Sequence, residues 1–356
     1  MHLPSIIQIQ DHQQKWFLLL GIAILISLIF IASISGIMNI GIGQFIDIIL
    51  YKIGLIKSQT FTDNQAIVLW SYRLPRILMA VIIGAGLAAS GAVLQGLFRN
   101  PLVEPGLIGV SSGSALFAVL YFSLAAVLPP VFASLNNYIL PVFAFAGGLF
   151  VTVVIYMLSK ANGHTNIAFL LLAGIAINAL SNALIGLTLY FSDDDAIRNF
   201  TFWTLGNLSG ANWEKIGLSC LLILLPSIFM IRFYKILNVL NMGETVAEQL
   251  GAKVERSKTI LIVLCALVVG SSVAMAGVIG FIGLVIPHFV RLLTGNNQKF
   301  VLTGSMLVGA IALLIADTIG RTIIAPVEIP IGIITSIICT PFFIWLLFRV
   351  KKQLVV

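Results

Sequence analysis

The chain alternates long uncharged apolar stretches with short polar breaks. The first stretch runs from Phe17 to Met38, and its length of about 20 residues suffices to cross the hydrocarbon core of a membrane. A signal-peptide core is shorter, so this stretch is predicted to be a retained first helix. Backbone polar groups inside lipid must be satisfied within their own segment, which makes each stretch an α-helix. The pattern predicts ten transmembrane helices, at about 17–37, 75–98, 106–130, 138–159, 166–191, 215–234, 258–277, 279–294, 301–319 and 329–349.

Three polar breaks are longer than the others, at 39–74, 192–214 and 235–258. Only Gly277 and Gly280 separate the seventh from the eighth predicted helix. No long linker divides the chain. The predicted fold class is therefore an all-α integral membrane protein with one transmembrane domain over residues 1–356.

Composition agrees with a protein whose bulk solvent is lipid. Hydrophobic residues make up 59% of the chain, charged residues 9%, and the mean hydropathy is +1.09, whereas a soluble domain carries about 25% charged residues. The net charge of +7 comes from scattered basic residues rather than a basic run with interleaved aromatics, so nucleic-acid binding is not predicted. Cys220, Cys265 and Cys339 lie in separate apolar stretches and form neither a disulfide framework nor a zinc motif.

The distribution of basic residues predicts the orientation in the membrane. An even number of crossings places both termini on one side. Thirteen basic residues fall on that side and seven on the other, which also holds Asp193, Asp194 and Asp195. The positive-inside rule therefore predicts cytoplasmic termini, with 235–258 as a cytoplasmic loop.

No catalytic, metal or cofactor site is predicted. The sequence lacks the Gly-x-x-x-x-Gly-Lys-Ser/Thr loop that cradles nucleotide phosphates, and its four histidines have no metal-ligand spacing. Asp317 is the chief ionisable residue within the predicted helices, whereas ion-coupled carriers normally hold several at mid-membrane. The energy for any transport is thus expected from outside the chain. A secondary carrier driven by an ion gradient and a membrane-embedded enzyme are the alternatives.

A short repeat relates the two halves of the chain. Gly84-x-x-Leu87-Ala88-x-x-Gly91 recurs as Gly270-x-x-Val273-Ala274-x-x-Gly277. The predicted helices that carry the repeat enter from opposite sides, as in inverted-repeat transporters. The alternative is that small residues recur wherever membrane helices pack closely.

Several motifs in order resemble one family. They are Arg73-Leu74-Pro75-Arg76, Ser90-Gly91-Ala92-Val93-Leu94-Gln95, Arg99-Asn100-Pro101-Leu102-Val103-Glu104-Pro105-Gly106, Trp203-Thr204-Leu205-Gly206, Leu240-Asn241-Met242-Gly243-Glu244, Gly280-Phe281-Ile282-Gly283-Leu284-Val285-Ile286-Pro287-His288 and Glu328-Ile329-Pro330-Ile331-Gly332. From Arg73 to Arg349 the chain closely resembles the FecCD-type permeases of ABC importers, which take up ferric siderophores, haem or vitamin B12.

The resemblance implies a fold like that of the vitamin B12 importer permease, with ten helices and inverted-related halves. It implies a homodimer in the bacterial inner membrane with one pathway between the subunits. Two ABC ATPase subunits would bind inside, and a periplasmic or lipid-anchored substrate-binding protein would dock outside. The sequence around Gly96–Pro101 and Pro105–Gly113 is most similar to haem permeases, then to ferric siderophore permeases, and third to vitamin B12 permeases.

The resemblance also implies the roles of particular residues. Gly243, Glu244, Ala247, Leu250 and Gly251 match the segment that docks in a groove of the ATPase. An ordinary solvated helix is the alternative.

Arg73, Arg76 and Arg321 match arginines that pair with carboxylates of the binding protein, and guanidinium groups suit such pairing. The alternative is that they anchor helix ends at the membrane surface. All three are expected to be exposed at the outer rim, and Asp317 to pair with Arg321 four residues later.

Four polar residues of the fifth predicted helix are assigned to the pathway or its inner gate. Thr165 and Asn166 stand where the family has the gate, although Thr165 could equally be a helix cap. Asn178 and Asn182 share one helix face, and they either line a wet channel or bond across helices.

Overall fold

α-Helices form most of the computed structural model, which describes residues 3–56, 60–124, 136–161 and 164–354. The helices are α1 (Leu3–Ile34), α2 (Ile42–Ile53), α3 (Asp63–Phe98), α4 (Val110–Leu124), α5 (Asn136–Leu158), α6 (Ile167–Tyr190), α7 (Asp194–Thr204), α8 (Trp213–Ile231), α9 (Tyr234–Leu240), α10 (Glu244–Gln249), α11 (Val254–Ala276), α12 (Ile282–Thr294), α13 (Gln298–Thr322) and α14 (Ile331–Leu354). Two strands, β1 (Lys160–Ala161) and β2 (His164–Thr165), pair antiparallel before α6.

Seven of these helices are long and apolar enough to cross a membrane, namely α1, α3, α5, α6, α8, α11 and α13. Three shorter apolar helices, Val110–Leu124, Ile282–Thr294 and Ile331–Trp345, complete the set. The described residues thus contain one apolar helix for each of the ten predicted crossings, and the predicted fold class is confirmed.

Three predicted boundaries were wrong for local reasons. The second helix starts at Asp63 rather than 75, because a π-helical segment at Val68–Arg73 joins the preceding turn to the apolar helix. The third begins as a short 3₁₀ helix at Pro105–Ile108, and Gly109, with φ of +83°, separates it from α4. Its predicted end at 130 lies outside the described residues. The eighth begins at Ile282, since Phe281 adopts φ of +67°.

The predicted polar breaks also contain helices. The 39–74 break holds α2 and the start of α3, and the 192–214 break holds α7. The 235–258 break holds α10, most of α9 and the first residues of α11.

Contacts at the two ends of α1 define two faces. At the first residue of its apolar span, Gln14 Nε2 donates to the Thr294 carbonyl at the end of α12, 2.7 Å away. At its end, backbone carbonyl oxygens between Ala32 and Met38 accept hydrogen bonds from arginines of α3 and α13. We name the face where α1 begins and α14 ends the terminal face, and the other the opposite face. The loop that holds α9 and α10 lies at the terminal face.

Helix α3 is the centre of the packing and nearly all of its residues from Ile77 onward are buried. Glycines let its backbone approach two neighbours closely. A Cβ added to Gly84 would lie 2.3 Å from the Gly309 carbonyl oxygen of α13, and one added to Gly91 would lie 1.9 Å from that of Gly283 in α12. Larger side chains at these positions would force the helices apart.

The neighbours of each helix recur between the two halves. Helix α3 packs on α13, and its counterpart α11 packs on α5. Helix α4 contacts α5 and α6, just as α12 contacts α13 and α14. This reciprocal packing is the arrangement that related halves predict, and the glycine repeat lies on the paired helices α3 and α11.

Candidate functional site

Two glycines delimit α10 at the terminal face. Gly243 has φ of +119° and Gly251 has φ of +78°, conformations that residues with a Cβ rarely adopt. Gly243 ends the turn after α9, and Gly251 lies in the turn between the end of α10 and the start of α11. The Gly-Glu-x-x-Ala-x-x-Leu-Gly motif therefore encodes a short helix between two backbone turns.

The two sides of α10 differ sharply in exposure. Ala247 is fully buried and belongs to the main hydrophobic core. Three apolar residues in or beside α10, namely Met242, Val246 and Leu250, are 69%, 37% and 66% exposed. We call these three residues the α10 stripe. An exposed apolar surface in a loop at a membrane protein's polar face is typical of a protein-binding site.

An ionic network joins α10 to the chain before α6. Lys258 Nζ lies 2.6 Å from Glu244 Oε2, 3.3 Å from the Thr165 carbonyl oxygen and 4.0 Å from Glu255 Oε2. Glu255 Oε1 accepts hydrogen bonds from the Thr165 backbone N–H, at 2.8 Å, and from its hydroxyl. Lys258 is only 4% exposed, so water screens these contacts weakly. Thr165 is therefore held by two side chains of α11, one of which also holds α10.

The predicted gate residues have distinct roles in this arrangement. Asn166 caps α6, because its Oδ1 accepts from the backbone N–H groups of Ala168 and Phe169. The cap alternative for Thr165 was wrong, since its hydroxyl is directed to Glu255 instead. Thr165 and Asn166 line an open cavity of about 540 Å³ together with Glu244 and Arg99.

The two asparagines of α6 differ although they share a face. Asn178 Nδ2 donates to the Gly106 carbonyl at 3.2 Å, and its Oδ1 accepts from the Ser112 hydroxyl. It thus bonds across elements, which was one of its two predicted alternatives. Asn182, one turn further, is exposed.

Arg76 is the centre of a charged cluster at the opposite face. Its Nε lies 2.7 Å from Asp317 Oδ1, and its Nη1 lies 2.8 and 2.9 Å from the two carboxylate oxygens of Glu328. Asp317 is fully buried, whereas the Glu328 side chain is 43% exposed. The predicted pairing of Asp317 with Arg321 is present as an ion pair at 3.8 Å.

Arg73 and Arg321 both hold the end of α1. Arg73 donates to the carbonyl oxygens of Ser33, Ile34 and Met38, and Arg321 donates to those of Ala32 and Ser35. A helix leaves its last carbonyls without intrahelical partners, so these guanidinium groups complete α1.

This arrangement corrects the expectation that the arginines stand exposed at the rim. Arg73 is 6% exposed, and the side chains of Arg321 and Arg76 are 9% and 12% exposed. The sequence alone does not reveal why these arginines are buried, because their partners lie far away along the chain. Arg73 and Arg321 bind the end of another helix, α1, which differs from the predicted alternative that arginines anchor helix ends at the membrane surface.

Sequence reasoning missed two members of the terminal-face network, Lys258 and Glu255. A signal was present, since a lysine begins the predicted apolar helix 258–277 and has to find a partner when the helix is buried. Among the described residues there is no group of three or more histidines, cysteines or carboxylates placed to hold a metal ion.

Comparison with known proteins identifies relatives that are transport proteins. Residues 21–349 match the FecCD transport family. The chain is 44% identical to the hemin transport system permease protein HmuU of Yersinia pestis, over 83% of this chain and 87% of the relative. It is 38% identical to the vitamin B12 import system permease protein BtuC of Yersinia pseudotuberculosis, over 82% of this chain and 84% of the relative.

A solved structure shows the same fold. It is an ABC transporter of metal-chelate type in an inward-facing conformation, and it superposes with a TM-score of 0.81 at 32% identity. The match covers 94% of this chain and 99% of the other. The relatives are transmembrane transport subunits, and ATP hydrolysis belongs to a separate subunit. The chain is therefore a multi-pass membrane permease of an ABC importer and belongs to the FecCD transport family.

Proposed function

We propose that two copies of this chain form the translocation pathway of an ATP-driven importer for an iron chelate, with haem as the first candidate and a ferric siderophore as the second. The observation that carries the substrate is the 44% identity to a hemin permease, against 38% for a vitamin B12 permease. Vitamin B12 is the alternative substrate.

The α10 stripe supports docking of an ATPase. Three apolar side chains in a polar loop are unfavourable in water and gain free energy when a partner covers them. We therefore assign Gly243, Glu244, Ala247, Leu250 and Gly251 to coupling, with a division of labour. The glycines shape α10, Ala247 fixes it to the core, Glu244 joins it to Lys258, and Leu250 with the rest of the stripe contacts the ATPase.

The exposed surface of α6 supports a homodimer with its pathway between the subunits. Only Leu170, Gly174 and Ser181 of this helix are buried within the described chain. A second copy would cover part of that surface, leave Asn182 beside the pathway, and bring the two Thr165–Asn166 segments together as the inner gate. Lipid would cover the remaining apolar faces.

The opposite face is the proposed docking site for a periplasmic or lipid-anchored binding protein, with both termini cytoplasmic in the bacterial inner membrane. Of the three arginines, Arg76 is the one whose partner can be exchanged. Its Nη1 pairs with the half-exposed Glu328, and a carboxylate from the binding protein could replace that partner. Arg73 and Arg321 would contribute positive potential and hold α1 in place.

Other classes fit these residues poorly. An ion-coupled carrier needs an ionisable group free to bind and release its ion at mid-membrane. Asp317, the buried carboxylate among the described spans, is paired with Arg76 and Arg321. A membrane enzyme would need a catalytic constellation, and the sequence motifs do not predict one.

The substrate assignment is tested on the substrate-binding protein that works with this permease. Its affinity for haem, ferric siderophores and cobalamin should be measured in parallel by fluorescence quenching. We expect haem to bind most tightly. Binding of cobalamin with neither iron chelate would overturn the iron assignment, while leaving the importer architecture in place.

A further inference from the structure

We propose that Lys258 and Glu255 form the mechanical link through which α10 moves the start of α6. The inference rests on the proposed function, because such a link matters only if an ATPase displaces α10. Neither residue belongs to the docking surface or to the pathway. Both are positioning residues that act through Glu244 on one side and Thr165 on the other.

The geometry of Lys258 suits this role. An ammonium group has three donors, and here they are directed to a carboxylate of α10, to the Thr165 carbonyl and toward Glu255. The Lys258 side chain is 4% exposed, so its charge depends on these protein partners, although the Glu244 and Glu255 side chains are 33% and 27% exposed. A shift of Glu244 therefore pulls on the lysine rather than breaking the contact.

Glu255 completes the connection on the α6 side. One oxygen of its carboxylate accepts from both the backbone N–H and the hydroxyl of Thr165. Thr165 is thus held through its carbonyl by Lys258 and through two donors by Glu255. The next residue, Asn166, caps α6, so movement of Thr165 is passed directly to the first turn of that helix.

The surroundings leave room for the movement. The cavity of about 540 Å³ is lined by Glu244, Arg99 and the 164–168 segment. Helix α10 packs on α9 and α11, and β2 packs on α11. The link therefore spans the edge of an open space, where a rearrangement of side chains need not compress the core.

The test uses the complete transporter with its ATPase and binding protein, reconstituted in liposomes. Lys258→Met removes the charge and keeps the length, Lys258→Arg keeps the charge, and Glu255→Gln keeps the size. Lys253→Met is the matched control, because Lys253 is exposed and forms no ion pair with the described residues. Assembly, ATP hydrolysis and uptake are measured for each variant. A spin label at Ala168→Cys, in the exposed first turn of α6, reports the distance between the two copies.

We expect Lys258→Met to assemble and hydrolyse ATP while uptake per ATP falls about tenfold. The label distance should no longer respond to nucleotide, Lys258→Arg should restore much of the coupling, and the control should match wild type. Normal uptake per ATP in Lys258→Met would overturn the link. Glu255→Gln should also lower uptake per ATP. If Lys258→Met does not assemble, normal coupling in Glu255→Gln would overturn the link. A wild-type complex that hydrolyses ATP without uptake of any chelate would instead contradict the proposed function.

Discussion

Arg76 Nε lies 2.7 Å from Asp317 Oδ1, although 241 positions separate the two residues along the chain. The contact fastens α3 to α13 near the opposite face. Asp317 is fully buried, and its charge would be costly there without a counter-charge. The same guanidinium also holds the half-exposed Glu328, so one arginine carries two carboxylates in very different surroundings.

This difference predicts unequal effects on stability. Asp317→Asn should lower the free energy of unfolding by about 3 kcal/mol, because it removes one partner of a buried ion pair. Glu328→Gln should cost no more than about 1 kcal/mol, because that pair is exposed on one side. SDS-induced unfolding followed by tryptophan fluorescence measures both. Equal losses would show that burial does not determine the strength of these pairs.

The carbonyl contacts of Arg73 and Arg321 predict a local effect on α1. Replacing either arginine with methionine should speed amide hydrogen exchange in the last turn of α1 and in residues 35–40, because several carbonyls lose their donors. Exchange elsewhere should change little. Arg198→Met, at an exposed position of α7, is the matched control. Unchanged exchange around Ser33 to Met38 would contradict the anchoring role.

Glu328 should compete with the binding protein for Arg76. If docking uses a carboxylate on that guanidinium, Glu328→Gln removes both a competitor and a like charge. Affinity for the binding protein should then rise by up to about fivefold, the scale of one exposed pair. The gain should shrink as salt rises, because exposed charges are screened over about 10 Å at 0.1 M. Weaker docking in this variant would instead show that Glu328 contributes to the docking surface.

The α10 stripe should hold the ATPase. Leu250→Glu should reduce co-purification of the ATPase strongly, since burying one leucine side chain is worth about 1.5–3 kcal/mol and the charge adds a desolvation cost. Gln249→Glu introduces the same charge one residue earlier, outside the stripe, and should leave assembly nearly unchanged. Similar assembly in the two variants would remove the stripe from the interface. Ala247 is a poorer target, because it is buried in the core.

The apolar helices could be predicted from the sequence because crossing length is a local property of the chain. Helix α2 was missed, since its twelve residues are amphipathic and its buried Ile48 packs in a cluster with Phe61 and Leu69. The break between the 3₁₀ helix and α4 depends on the positive φ of Gly109, which nothing in the hydropathy pattern reveals.

The site was less predictable because its partners are distant in sequence. The residues of α10 could be identified by resemblance, yet the role of Glu244 depends on Lys258, fourteen positions away. Thr165 and Lys258 are 93 positions apart, a separation that no helical period relates. The arginines were recognised, but only the fold shows that Arg73 and Arg321 are occupied by the carbonyls of α1.

The proposed function makes this chain a carrier of an iron chelate, with energy supplied by a separate ATPase. The most direct measurement is uptake of haem into proteoliposomes that hold the permease, its ATPase and the binding protein. We expect uptake that requires ATP and the binding protein, and that persists when ionophores abolish all ion gradients. Uptake that proceeds without ATP and stops when the ion gradient is collapsed would contradict it.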